Sequence, residues 1–292
     1  MAGSARNTES SAILESMVRL PGGTFFMGSD RHYPEEAPRH ASRVDGFWID
    51  RAPVTNAEFA TFVDATGHVT SAEIAPDPTD YPGALPEMCN PGSLLFTPTD
   101  SPVDLTDWTQ WWRFEFGVHW RCPQGLSTDW RDIPDYPVVH VTHADAVAYA
   151  RWADKVLPTE VEWEYAAWGG MDGHEFAWGD ELEPRGEHQA NVWQGHFPWQ
   201  NDCSDGFART SPVGSYPPNG FGLVDMIGNV WEWTQDWFSA RHLDAAKPCC
   251  VPENSRGGPK SNSHDRCGGP PIPRKVVKGG SHLCAPSYCR RY

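Results

Sequence analysis

Between Ser71 and Pro137 no apolar residue recurs at helical spacing, or alternates as in a half-buried strand, for long enough to define an element. Pro, Gly, Asp and Trp dominate instead. A structureless insert of that length inside a compact domain is either functional or disordered. Trp108, Trp111, Trp112, Trp120 and Trp130 argue against disorder, because so aromatic a segment can bury enough surface to order itself. The stretch is expected to be an ordered loop layer, either lining a groove that receives substrate or covering a core. The bias extends to the whole chain, which has 27 Gly, 27 Pro and 15 Trp in 292 residues and only 39% hydrophobic residues. Such a chain should be poor in regular structure, its core filled by aromatic rings instead of aliphatic helix faces.

Three helices can be read within this frame. Thr55 is an N-cap with Glu58 three residues on; Phe59, Phe62 and Val63 form one face, and Gly67 stops the helix. Thr142 and Asp145 open a second, with Ala146, Val147, Ala150 and Ala153 on its buried stripe before Leu157-Pro158. Thr159 and Glu162 open a third, closed by Gly169-Gly170. Val18-Leu20 and Thr24-Met27 flank Pro21-Gly22-Gly23 as two strands with a tight connection, Arg43-Asp50 reads as one further strand, and Lys275-Lys278 as a short one. Residues 239 to 275, rich in Pro, Gly, Ser and Lys, read as a mobile surface loop. Residues 1–17 are expected to be a flexible N-terminal segment and 18–292 a single domain, since no linker divides the chain.

A formal net charge of −16 argues against nucleic-acid and anionic-membrane binding. It suits hard cations or basic peptides, and equally plain solubility. No signal-peptide run precedes Val18, and no 18 consecutive apolar residues occur, so no membrane span is expected and the cytoplasm is favoured. Eight cysteines are too sparse for a disulfide scaffold at this length. Cys249, Cys250 and Cys267 share one Pro/Gly-rich loop and carry no assignment. Walker, Gly-x-Ser-x-Gly and His-Glu-x-x-His motifs are all missing, which removes the usual footholds for phosphate-loop, esterase and zincin chemistry.

Cys284 and Cys289 are the pair with chemical promise. Five positions apart, they would diverge by roughly 140° on a helix and face opposite sides of a strand. Pro286 between them and Gly279-Gly280 upstream permit a fold-back that brings the thiols together. A structural disulfide, a zinc half-site and a low-coordinate Cu(I) site all remain open. His140 and His143 read as hydrogen-bonded structural histidines, no carboxylate completing a metal triad being evident. Between residues 176 and 238, Asn191-Val192, Asp205-Gly206-Phe207 and Asp225-x-x-Gly228-x-Val230-x-Glu232 cluster side-chain oxygens and carbonyls, which spacing alone assigns to Asx-turn chemistry.

Gly279-Gly280-Ser281-x-x-Cys284-x-x-Ser287-Tyr288-Cys289-x-Arg291-Tyr292 resembles the active-site signature of the formylglycine-generating enzymes, or sulfatase-modifying factors. Arg19-Ser29, Pro53-Asn56, Trp111-Trp112, Pro137-Val141, Leu157-Ala167 and Gly228-Trp233 are similar to further family motifs in family order. The resemblance implies an α+β single-domain fold of the formylglycine-generating-enzyme and C-type-lectin-like kind, with low regular secondary structure. It implies a copper-dependent oxidase that uses dioxygen to convert the cysteine of a Cys-x-Pro-x-Arg motif in an unfolded sulfatase polypeptide into Cα-formylglycine. Cu(I) would be held by Cys284 and Cys289, with Ser281, Tyr288 and Trp231 beside it and Arg290 and Arg291 assisting docking. Two structural Ca2+ sites would use Asn191, Val192, Asp205 and Phe207, and Asp225, Gly228, Val230 and Glu232. A monomer is expected. Family members usually continue past Tyr292 to a Gly-Phe-Arg segment, so the chain is expected to be truncated there. Two alternatives share most motifs: an iron-dependent sulfoxide synthase, and a non-catalytic C-type-lectin-like binding module.

Overall fold

The computed structural model describes residues 16–80, 85, 88–242, 251–264 and 272–289. Its described strands form four separate two-stranded antiparallel sheets. β1 (Met17–Leu20) pairs with β4 (Phe47–Asp50), and β2 (Gly23–Met27) with β3 (His40–Val44). The two strands around Pro21-Gly22-Gly23 thus exist but do not pair with each other. Arg43–Asp50, read as one strand, is two: Asp45-Gly46 breaks it, and each half takes a different partner. Gly46 is tight against the carbonyls of Leu20 and Pro21, so the break is fixed by packing from outside the segment.

The helices follow their caps. α1 (Asn56–Thr66), α2 (His143–Trp152) and α3 (Glu160–Trp168) each begin after a Thr whose hydroxyl accepts the backbone N–H three residues on. In each, the acidic side chain at that third position accepts from the Thr backbone in return, completing a capping box. Gly67 and Gly169 end α1 and α3 in the left-handed region. Of the proposed stripe of α2, Ala150 is fully buried, while Ala146, Val147 and Ala153 are half-buried. Thr159→Ala removes the hydroxyl that accepts from Glu162 N–H and donates to its carboxylate, while the backbone N–H of residue 159 can still donate to Glu162, and is expected to cost about 1 kcal/mol in urea unfolding.

Inside the 71–137 layer, β5 (Gly92–Phe96) and β6 (Trp112–Phe116) form an antiparallel pair that sequence periodicity does not reveal. Leu94, Phe114 and Phe116 are exposed on it, so the pattern lacks the apolar-in, polar-out alternation. Within the 239–275 run, residues 251–264 are docked, not loose. Glu253 bridges Arg43, Gly258 bridges Trp237, and Arg256 donates to the buried Asp236 at 2.8 Å.

Three apolar clusters hold these pieces. α3 packs on β1–β3 through Val161, Trp163 and Ala166. α1 packs on Trp120 and on the Tyr149 side of α2. The third cluster is largely aromatic: Phe96, Trp111, Trp193 and Phe197 meet edge-on or stacked, and Leu283, Ala285 and Tyr288 rest on them. Aromatic pairs in such geometries add about 0.5–1.5 kcal/mol beyond area burial. Tryptophans from the irregular layer therefore form the bed of the cysteine turn.

Candidate active site

β7 (Glu232–Trp237) pairs with β8 (Lys275–Lys278), Glu232 opposite Lys278. β8 delivers the chain to Gly279 and Gly280, both left-handed at φ 98° and 75°. A Cβ at Gly279 would meet the Met226 carbonyl at 3.1 Å and the Trp163 ring at 3.2 Å, so both backbone sign and space require glycine. The next turn is stitched to two other loops. His282 donates from its backbone N–H and from Nδ1 to the Asn229 carbonyl (3.0 and 3.1 Å), and the Cys284 carbonyl accepts from Trp193 N–H at 2.9 Å. Asn229 is itself buried and left-handed, its side chain locked reciprocally to the Ser211 backbone.

Between the cysteines, Ala285 and Tyr288 exchange backbone hydrogen bonds of 2.8 and 3.0 Å around Pro286-Ser287, closing a two-residue turn. Cys289 follows at φ 58°. The result is a pair of free thiols with Cys284 donating to Cys289 at 3.0 Å. Cys284 is only 1% exposed and also receives the Ser281 N–H at 3.4 Å. Its thiol is pushed far up, first by the hydrogen bond it gives Cys289, then by burial and by the second sulfur's charge. The pair sheds its protons readily only to a partner that supplies positive charge in return.

The cysteines open onto a cleft of about 370 Å3 whose wall includes Trp112, Trp231, Ser281, His282 and Tyr288. Tyr288 stacks on Phe197 at 4.4 Å and meets Trp111 edge-on, and burial and then the nearby sulfurs raise its hydroxyl. The Ser281 hydroxyl accepts the Leu283 N–H at 3.2 Å. His282 was not singled out from the sequence, although it lies inside the cysteine motif. Burial lowers it to about 4, so it is neutral with Nε2 as the acceptor nitrogen. His140, left-handed at φ 58°, also borders the cleft, but Ser93 and the Pro123 carbonyl engage both its nitrogens. His143 bonds the Thr234 carbonyl.

The oxygen-rich turns differ from each other. Around Asn191, acceptors are already taken: Asp205 accepts from Phe207 N–H (3.0 Å) and Tyr216 hydroxyl (2.8 Å), Val192 carbonyl accepts from Gln194, and the Asn191 amide donates to Arg209. Around Asp225 they are not. Asp225 Oδ2 accepts from Gly214 N–H and Glu232 Oε2 from Trp163 Nε1 (2.9 Å), while Asp225 Oδ1 and Glu232 Oε1 are buried with no hydrogen-bond partner. Burial, opposed by the Gly214 bond, raises Asp225. Burial and the Asp225 charge outweigh the Trp163 bond and raise Glu232 to about 7. Gly228, at φ 78°, approaches Asn191 so closely that a Cβ would lie 2.4 Å from its carbonyl oxygen. Among the described residues no group of three or more His, Cys, Asp or Glu side chains converges as a metal cluster. Arg290, Arg291, Cys249, Cys250 and Cys267 lie outside the described residues.

Known proteins resemble this arrangement over nearly its whole length. A formylglycine-generating enzyme of Mycobacterium tuberculosis is 52% identical over 96% of this chain and 91% of its own length. One from Streptomyces coelicolor is 46% identical over 94% and 81%. The solved structure of PvdO from Pseudomonas aeruginosa superposes with a TM-score of 0.50 and 26% identity, covering 82% of this chain and 78% of that one. With its residues 4–292 matching the sulfatase-modifying factor enzyme 1-like domain, the chain belongs to that family.

Proposed function

We propose that this chain is a formylglycine-generating oxidase, an enzyme that converts the cysteine of a Cys-x-Pro-x-Arg motif in an unfolded sulfatase to Cα-formylglycine with dioxygen. The observation that carries the reading is the free thiol pair, 3.0 Å apart at the edge of a cleft, in a chain 52% identical to a relative bearing that name. Two soft sulfur donors with room for a third fit Cu(I) and are too few for a closed zinc site. When bound, copper would supply the one-electron chemistry that dioxygen requires. Cys284 and Cys289 would hold it, the Ser281 N–H would support the Cys284 thiolate, and Trp231 and Tyr288 would keep bulk water from the reacting sulfur.

The balance is explicit. Loss of two hydrogens from the substrate's Cβ–S unit gives a thioaldehyde; water then replaces sulfur and releases hydrogen sulfide. Reducing dioxygen to two waters takes four electrons, two from the substrate and two from an external thiol reductant. A reducing compartment such as the cytoplasm would supply that reductant and keep the pair open. Incubating the monomeric chain with Cu(I), air, a thiol and a Cys-x-Pro-x-Arg peptide should give the aldehyde by mass spectrometry. No aldehyde under these conditions overturns the reading.

We also assign a structural Ca2+ to Asp225 and Glu232, with the Gly228 and Val230 carbonyls. The two buried orphan oxygens support it, since hard cations take carboxylate and carbonyl oxygens. The Asn191, Val192, Asp205 and Phe207 set is the second candidate, though its acceptors must first exchange their hydrogen bonds. Calcium at 100 times its dissociation constant should stabilise by about 2.7 kcal/mol. Without calcium, Glu232 keeps its proton up to about pH 7 when folded but to 4.5 when unfolded. The contribution of Glu232 to stability should then be full below 4.5 and decline as pH rises through about 7. Thermal unfolding from pH 5 to 8 should show that decline with chelator and a flatter profile with calcium.

A further inference from the structure

The ribbon of β5 and β6 carries an apolar face that the fold leaves open. Residues two apart on a strand share a face, and directly paired residues share it across the ribbon. Phe96 with Trp112, Leu94 with Phe114, and Gly92 with Phe116 are therefore three successive rungs on one side. The first rung is embedded: Phe96 is buried in the aromatic bed of the cysteine turn and meets Trp112 edge-on at 5.9 Å. The next two are not, with Leu94, Phe114 and Phe116 exposed by 42%, 48% and 48%. The opposite side carries Ser93, Arg113 and Glu115 with Leu95, and Ser93 bonds His140 Nδ1 at 2.8 Å.

The exposed rings are held in place. Phe114 and Phe116 meet edge-on at 5.7 Å, and a Cβ at position 92 would lie 2.9 Å from the Phe114 ring. Gly92 thus lets that ring lie against the strand backbone, a cover that aromatic residues give to strand glycines. Such cover accounts for one ring. It leaves unexplained a second ring and a leucine turned to water in the same row, and contiguous apolar patches of this kind mark interaction surfaces.

The position of the row selects its occupant. Trp112 is both the first rung and part of the wall of the cleft that holds Cys284 and Cys289, so a chain leaving the cleft past Trp112 meets Phe114 and then Phe116. From Trp112 to Phe116 the strand rises about 13 Å, the length of about four residues of extended polypeptide. The rungs repeat at about 6.8 Å, which is also the spacing of same-side side chains on an extended peptide. An unfolded chain offers apolar side chains at that spacing, whereas a folded one buries most of them. The net charge of −16 makes an anionic membrane a poor occupant.

We propose that Leu94, Phe114 and Phe116 form a docking strip for the substrate polypeptide outside its motif, selecting substrates with apolar residues within about four positions of Cys-x-Pro-x-Arg. The identity of the occupant rests on the oxidase reading.

The test uses two peptides with the same motif, one with leucine-containing flanks and one with serine–glycine flanks. KM for the apolar-flanked peptide should be roughly five- to twentyfold lower. Phe114→Thr and Phe116→Thr, which keep a strand-forming residue, should each reduce that preference and together erase it. Phe114→Leu should retain most of it, and Arg113→Thr, on the opposite side of the ribbon, should leave it unchanged. Fluorescence anisotropy of labelled peptides whose motif cysteine is replaced by serine reads the same preference without turnover. Equal KM for both peptides overturns the strip and leaves the oxidase reading standing, and so does a preference that survives in the folded double variant. Binding preference without formylglycine from either peptide overturns the oxidase reading and leaves a polypeptide-docking strip. Neither preference nor formylglycine overturns both. An unmodified chain that sediments as a dimer, with a monomeric double variant, gives the strip to a second copy of the chain and overturns the proposal.

Discussion

Cys284→Ser and Cys289→Ser should each abolish formylglycine formation and tight Cu(I) binding while leaving the fold intact. The geometry explains why neither cysteine can stand in for the other. The two sulfurs are 3.0 Å apart in a turn closed by the Ala285–Tyr288 hydrogen bonds, so a soft ion between them has no alternative sulfur within the described site. A hydroxyl is close to isosteric with the thiol but is a hard donor, poorly matched to a monovalent soft ion. The loss should exceed the roughly 10- to 100-fold that removal of an outer-shell partner costs. Cu(I) competition titration and peptide turnover measure the two effects separately, and near-UV circular dichroism tests the packing of Tyr288 on Phe197. A serine variant that keeps turnover would overturn the assignment of the chemistry to this cysteine pair.

Lys278→Met should destabilise the chain by about 3–5 kcal/mol at neutral pH, as expected when one partner of a buried pair is removed. Lys278, buried at the end of β8, donates to Glu164 Oε2 at 2.7 Å and lies 3.7 Å from Glu160. Glu164 Oε1 accepts the Gly28 N–H at 2.6 Å, so this one carboxylate ties α3 to both β8 and the end of β2. Burial works to raise Glu164, but the Lys278 charge and the two hydrogen bonds outweigh it and hold the carboxyl below its usual range. In the unmodified chain this contribution is present above the unfolded carboxyl value of 4.5 and fades as pH falls. Removing the ammonium reverses the sign. The buried carboxylate then prefers its neutral form, and the deficit should be largest near pH 7 and shrink on acidification. Urea titrations at pH 5 and 7 distinguish this from a packing loss, which would be equal at both. Because Lys278 immediately precedes Gly279-Gly280, the variant should also loosen the thiol pair and weaken Cu(I) binding.

The three helices were legible in the sequence because their signals are local. Thr55, Thr142 and Thr159 each sit three residues before the Glu or Asp that returns the hydrogen bond, and Gly67 and Gly169 supply the left-handed ends. The turn between Cys284 and Cys289 was legible for the same reason. Proline and the glycine pair restrict a few consecutive dihedrals, and no distant partner is needed to read them. Family motifs spread from Arg19 to Tyr292 gave the fold class, which the domain match and the short antiparallel sheets support.

Strand partners were another matter. β1 with β4, β2 with β3, and the β5–β6 pair depend on long-range hydrogen bonds, and Leu94, Phe114 and Phe116 break the alternation that would have announced a sheet face. The role of His282 could not be read either, because its neutrality comes from burial against the Asn229 loop, more than fifty residues upstream. The sequence by itself determined which residues could bend, cap and ligate, because those properties belong to a few adjacent dihedrals and to side-chain chemistry. Only the tertiary structure decided that Trp111, Trp193 and Phe197 would bed the cysteine turn, and that Asp225 and Glu232 would each bury an unpaired oxygen. Those outcomes depend on desolvation and close packing between segments far apart in the chain, and no local pattern encodes them.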